Sequence, residues 1–361
     1  MASSTAEAQQ VRDGVANLIR NCVGVQSGES ILLLNEHGGV DPGVVSLMED
    51  GIREAGGTAY SMWVDPLTGM REMPKLLGNA IVAADKVVMN ANLNRVILLE
   101  HLRANDRADL VRINNRTRTP DRIGSEHARF DWRLVMELAH KIEEITAAAT
   151  EWEITTPHGT RMAGRIASGS DVADAFFVQD AEASRTERVF PGEVYAPVGS
   201  KDAHGIIAFD HPGIADKERF ANPIMVTVED NMVTDIEWRE EAARPNQPNQ
   251  KDDPTGSTVW TRAGFIRLLD ANEEKYGHER AYVVDSWHGG MHPKAEKRAG
   301  QQSDTKTMHF HIGRVPSARS TYMSDQTVVL DGVPFWENGR PALLDDPAVR
   351  AMAAEYGQKL S

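Results

Sequence analysis

Four of the twelve histidines in this chain, His288, His292, His309 and His311, fall in one stretch, DSWHGGMHPKAEKRAGQQSDTKTMHFH, which Asp285 opens. His309-Phe310-His311 is an i, i+2 pair, and on a strand that spacing sends both imidazoles to one face. Neutral imidazole is a ligand for Fe, Zn, Cu and Ni alike. Two such rings on rigid backbone, with a third from the nearby glycine-rich loop, would cap one side of a metal ion. An isolated His-x-His also occurs on exposed strands without any ligand. It is the company of two further histidines and an aspartate that points to a metal site.

Glu193 is the carboxylate of interest elsewhere, in Pro191-Gly192-Glu193-Val194-Tyr195. Beside a glycine turn and at the start of a strand, it could project into a cleft. Asp285 competes for the same part, and the residues alone do not choose between them. Histidines with one carboxylate are the ligands of mononuclear non-haem Fe(II) oxygenases, which keep positions open for substrate and oxygen. His101, in LLEHLRAND, reads either as a solvent-facing helix histidine or as a group reaching toward the site. Other chemistries are poorly served. Cys22 is the single cysteine, with nothing adjacent to lower its pKa. No Gly-x-Ser-x-Gly elbow is present, and no Gly-x-Gly-x-x-Gly or Walker-type loop follows a strand.

The elements that must position these groups divide into two textures. Residues 5–22 predict an amphipathic helix, 31–34 a buried strand, 42–55 a helix, 58–64 a strand, 71–84 a helix and 86–89 a third strand. This alternation predicts an open, mostly parallel sheet with helices on its faces. Asn90-Ala91-Asn92 follows a strand's C-terminal end, where such sheets tend to bind ligands. A helix over 131–149 closes the first domain, 1–150. The second, 151–361, predicts a β-rich α+β domain carrying the metal site. Its strands fall over 152–156, 161–166, 189–198 and 204–209, with a hairpin over 224–238 and a strand-turn-strand over 327–335. A helix over 261–276 and another from about 346 complete it. The segment 243–258, polar and proline-rich, predicts an exposed loop or lid.

Length suits two domains, each with its own core, and 41% hydrophobic with 25% charged residues are the proportions of a soluble globular protein. A net charge of −14 argues against nucleic acid or an anionic membrane as partner. One cysteine fits a reducing compartment, the N-terminus lacks a signal-peptide pattern, and no apolar run is long enough to span a membrane. A cytoplasmic location is expected.

The order of elements, together with PGEVYAP, DNMVTDIEW, the His-x-His and TVVLDGVPFWENG, resembles the thermophilic-aminopeptidase superfamily. That group holds dinuclear metallo-aminopeptidases and the mononuclear iron enzyme 2,5-dihydroxypyridine 5,6-dioxygenase. In the peptidase branch the last ligands form His-x-Asp. Here His309 matches the histidine, but His311 stands where the aspartate would be. Glu193 matches the first ligand glutamate. Only 20 residues separate His288 from His309, which leaves little room for the extra His and Tyr ligands of the peptidases. For the dioxygenase branch the positional matches to the metal ligands are His288, His309 and His311, with the third changed from carboxylate to imidazole. His101 falls where that enzyme has a histidine near the substrate ring.

The resemblance implies a metal-dependent enzyme, an extradiol-type Fe(II) dioxygenase cleaving a hydroxylated pyridine or related aromatic with O2. Zn, Co or Mn are alternative ions, and a metallo-aminopeptidase or amidohydrolase is the alternative reaction. His101 or His292 would move protons, Glu193 would assist as a further ligand, and Trp287 and Phe310 would either wall the ring pocket or serve simply as core aromatics. A homo-oligomer is expected by resemblance alone.

Overall fold

In the computed structural model, residues 5–67, 69–167, 186–192, 198–210, 223–237, 262–295, 304–314 and 318–360 are described. The chain opens with helix α1 (Thr5–Ala16), which runs on as a π-helical stretch, Asn17–Val23. Strand β1 (Ser30–Glu36), α2 (Pro42–Glu54), β2 (Thr58–Val64), α3 (Lys75–Ala83), β3 (Lys86–Asn90), α4 (Arg95–Ala104) and β4 (Val111–Asn115) then alternate. Three helices follow: α5 (Pro120–Ile123), α6 (Glu126–Arg129) and α7 (Trp132–Ala148). Next come β5 (Glu151–Thr155), β6 (Arg161–Ile166), β7 (Glu187–Phe190), β8 (Val198–Phe209), β9 (Ile224–Glu229) and β10 (Met232–Glu237). After α8 (Arg262–Tyr276) and α9 (His278–Ala281) stand β11 (Val284–Gly289), β12 (Thr307–Ile312) and β13 (Arg319–Ser324). The last elements are β14 (Thr327–Leu330), β15 (Val333–Glu337), β16 (Arg340–Pro341) and α10 (Pro347–Glu355).

These elements form two compact units. The first draws on 1–140, 179–192 and 353–358, the second on 141–178, 193–352 and 359–361. In the first, five strands pair in the order β2-β1-β3-β4-β7, and every pairing is parallel. Ile31, Leu32, Leu33 and Leu34 are all buried, as a strand covered on both faces requires. Asp41 caps α2, its Oδ1 accepting from the amides of Gly43 and Val44 at 2.8 and 3.1 Å, and Pro42 occupies the first turn. Asn94 caps α4 in the same way.

The C-terminal ends of β1, β3 and β4 carry a buried row of amides. Asn115 donates to Asn90 and Asn90 to Asn35, each at 2.8 Å. The sequence predicts 189–198 as part of the β-rich domain. The structure instead pairs Glu187–Phe190 with β4 in the parallel sheet. One reason is electrostatic: the Glu187 carboxylate receives Arg95 Nε at 2.8 Å and Arg112 Nη2 at 2.9 Å, two cations within the first unit. They hold its carboxyl below the usual range against the opposing effect of burial.

The second unit is built on an 11-stranded sheet ordered β13-β12-β11-β8-β6-β5-β14-β15-β16, with β9 paired to β8 and β10 to β9. All its pairings are antiparallel. A parallel α/β part followed by a β-rich part is the fold class the sequence predicts. None of the described helices is long and apolar enough to cross a membrane. The predicted loop over 243–258 lies outside the described residues.

Candidate metal centre

Strands β11, β12 and β13 lie side by side, and directly paired residues on antiparallel strands share a face. His288 pairs with His309 and His309 with Tyr322, which makes one row of three. Ser286 pairs with His311 and His311 with Ser320, which makes a second row one step along. The two rows occupy the same face because all three strands advance by two residues between them. Three imidazoles therefore sit within a patch edged by the hydroxyl residues Ser286, Ser320 and Tyr322.

The rings are close. His288 and His309 centroids lie 3.8 Å apart, His288 and His311 4.6 Å, His309 and His311 5.0 Å. One nitrogen from each ring can be chosen so that all three lie within 4.8 Å of one another. His288 Nε2 and His311 Nε2 are separated by 3.1 Å. His311 Nδ1 lies 3.4 Å from Ser286 Oγ, so its Nε2 is the nitrogen turned to the cluster.

Electrostatics favours ligation. Burial pushes all three imidazole pKa values down, to about 4 for His311, and proximity of the rings adds to the shift at His288 and His309. At neutral pH the rings are uncharged and keep a lone pair to donate. His288 Nδ1 and His309 Nδ1 are buried without a hydrogen-bond partner among the described residues. An unmet buried nitrogen costs roughly 1–3 kcal/mol. Converging neutral rings, with nitrogens that hydrogen bonding does not satisfy, fit a divalent ion of the Fe or Zn type.

The remaining expected site residues fall elsewhere. Asp285 is the extra residue of a β-bulge, since Val284 pairs with Ile312 and Ser286 with His311. Its Oδ1 meets Arg314 Nε at 3.2 Å, and it does not join the histidine group. Burial raises its pKa, and Arg314 opposes that rise. His292 is fully buried just past β11, and its Nδ1 accepts from the Lys294 amide at 3.1 Å. His101 stands in the last turn of α4 in the first unit, its ring against Gly78 of α3. Glu193 lies outside the described residues.

For Trp287 and Phe310 the structure chooses core over ring pocket. They alternate with the histidines along their strands and so face the other side of the sheet, where Trp152 meets them at 6.2 and 5.9 Å. They are core, fully buried. Tyr322 is the aromatic beside the site, its ring 4.9 Å from that of His309. Burial raises its phenol pKa, and the neighbouring Ser320 opposes that rise. The one local signal for Tyr322 is the alternation Ser320-Thr321-Tyr322 in β13, which places residues 320 and 322 on one face.

No family model matches the chain, and no curated protein matches it. Solved structures do. The 2,5-dihydroxypyridine dioxygenase of Pseudomonas putida KT2440 aligns over 95% of this chain and 98% of its own, with TM-score 0.63 and 14% identity. Wild-type AmpT of Thermus thermophilus, an aminopeptidase, aligns over 93% of this chain and 99% of its own, with TM-score 0.54 and 11% identity. At such identities the likeness is one of fold.

Proposed function

We propose that this protein is a mononuclear, metal-dependent enzyme, an Fe(II) dioxygenase that cleaves a hydroxylated pyridine or related aromatic ring with O2. The convergence of His288, His309 and His311 on one face of β11 and β12 carries this reading. Likeness of fold to a dioxygenase supports it. These three side chains would hold the ion, with Glu193 as a further ligand candidate. A bound Fe(II) supplies Lewis acidity and one-electron chemistry toward O2, so that both oxygen atoms enter the product of ring opening.

The chain's own residues then orient and exclude. The rigid sheet fixes the imidazoles, and Ser286 helps to orient His311 through the contact of its Oγ with Nδ1. His292, with Nδ1 accepting from Lys294, carries its proton on Nε2 when neutral and so is suited to donate one. His101 is the alternative proton-moving group that the resemblance implies.

Likeness of fold to AmpT favours a metal-dependent aminopeptidase or amidohydrolase as the second reading. Metal analysis of protein purified without oxygen separates the two. About one iron per chain, lost in His309→Ala, supports the dioxygenase, whereas two zinc or cobalt ions per chain support the hydrolase. Oxygen consumption with dihydroxypyridines and catechols, beside leucyl-anilide hydrolysis, tests the reaction. Metal content unchanged in His309→Ala would overturn the site.

A further inference from the structure

His309 and His311 reach the site only if β12 lies in the right register, and the connections on either side of it do not set that register. Residues 290–306 join β11 to β12 and 313–318 join β12 to β13, so neither is the tight turn that fixes a hairpin. Met308, Phe310 and Ile312 form the apolar side of β12 and are fully buried. They forbid a slip of one residue, which would exchange them for the histidines. A slip of two residues keeps the alternation and escapes this control. In one direction it sets Thr307 opposite His288 and carries both histidines about 7 Å along the strand.

A fixed point stands just ahead of the strand. The Thr305 carbonyl accepts from Gln326 Nε2 at 2.9 Å and from Trp336 Nε1 at 3.0 Å. Both donors belong to fully buried residues. Gln326 lies between β13 and β14, and its own carbonyl accepts from the Gly339 amide at 2.8 Å. Trp336 lies in β15, and β11, β8, β6, β5 and β14 stand between β12 and β15 in the sheet, so its bond ties distant parts together. Toward the strand, the Asp325 amide donates to the Lys306 carbonyl at 2.9 Å, and Asp304 Oδ1 accepts from the Lys306 amide and from Thr307 Oγ1. A slip of two residues would take the Thr305 carbonyl out of reach of both donors. Buried polar groups left unpaired in this way are costly.

Resting on the metal reading above, we infer that Gln326 and Trp336 are positioning residues of the metal centre. By holding the Thr305 carbonyl they fix β12 so that His309 stands opposite His288, with His311 one step along on the same face. Both act through the strand and not on the ion.

The test uses the full chain titrated with Co(II), whose visible absorption reports the geometry of its ligands, with urea melts in parallel. Gln326→Leu and Trp336→Phe each remove one donor and leave the carbonyl a partner, and the double variant removes both. The double variant should raise the Co(II) Kd at least about tenfold, the low end for losing the support behind metal ligands, and alter the spectrum at saturation. Each single variant should raise Kd about threefold, the low end for one hydrogen bond. Val349→Ala, a buried substitution in α10, should lower the urea midpoint and leave Kd and spectrum unchanged. Wild-type Kd and spectrum in the single variants, or in a double variant that folds, overturn the positioning role. An equal loss of Co(II) in Val349→Ala overturns it too, because the effect is then one of stability alone. Failure of the wild type to take up Co(II) overturns the metal reading itself, and this inference with it.

Discussion

His288 Nε2 and His311 Nε2 face each other at 3.1 Å across the β11–β12 pair. Two lone pairs cannot share that distance, so a proton or a cation must lie between them. Where an ion binds, it takes the place of that proton. Because the rings are already uncharged at neutral pH, adding Fe(II) or Zn(II) to metal-free protein should shift that proton to the other ring nitrogen and release few protons at pH 7, with more released as the pH of the titration falls toward 4. At free metal about a hundredfold above Kd the native state gains about 3 kcal/mol. A calorimetric melt should register this as a rise in Tm, and His309→Ala should remove it.

Acid should weaken the metal-free protein. The folded pKa of His311 is about 4, against an ordinary 6.5, and burial is the cause. Between those values the unfolded chain binds a proton that the folded chain refuses. Stability is thus full above pH 6.5 and declines as pH falls toward 4. For His311 the loss is on the order of 3 kcal/mol, and the downward shifts at His288 and His309 act in the same sense. Urea titrations across that range should show the midpoint falling, and a flat midpoint would refute the neutral cluster.

Trp287 and Phe310 belong to the core. Trp287→Ala should cost about 3–5 kcal/mol, read as a lowered urea midpoint. The milder Trp287→Phe should leave metal content at the wild-type value, because the ring points away from the histidines. Loss of metal in that variant would place the side chain at the site after all.

Asp285 should prove dispensable for metal. Its partner Arg314 is half exposed, 51% by side-chain area, so the pair sits at the boundary with solvent. Asp285→Asn should alter stability by no more than about 1 kcal/mol and leave the ion bound. Metal loss on this substitution would mean that the carboxylate turns inward as a ligand.

Much of this was legible from residue order. The run Ile31–Leu34 announced a buried strand, and the i, i+2 spacing of His309 and His311 announced a shared face, because both signals are local. Strand β7 was not legible. Its place beside β4 depends on Arg95 and Arg112 receiving Glu187 from more than 70 residues away, and no local pattern records that. The partnership of His288 with His309 is equally nonlocal, since it is set by register. For Trp287 and Phe310 the residues leave ring pocket and core both open, and alternation along a strand, which sends neighbours to opposite sides, decides for the core.

The bulge at Asp285 has a further consequence. In a regular strand Val284, Ser286 and His288 would share a side, and an apolar valine would crowd the histidines. The extra residue lets Val284 pair with Ile312 toward the core while His288 keeps its place beside His309. Position 285 is consequently the one point in β11 where the chain can shorten by a residue without turning the strand over. Relatives of this protein that differ in length within β11 should carry the gap there, with the imidazoles on either side still in step.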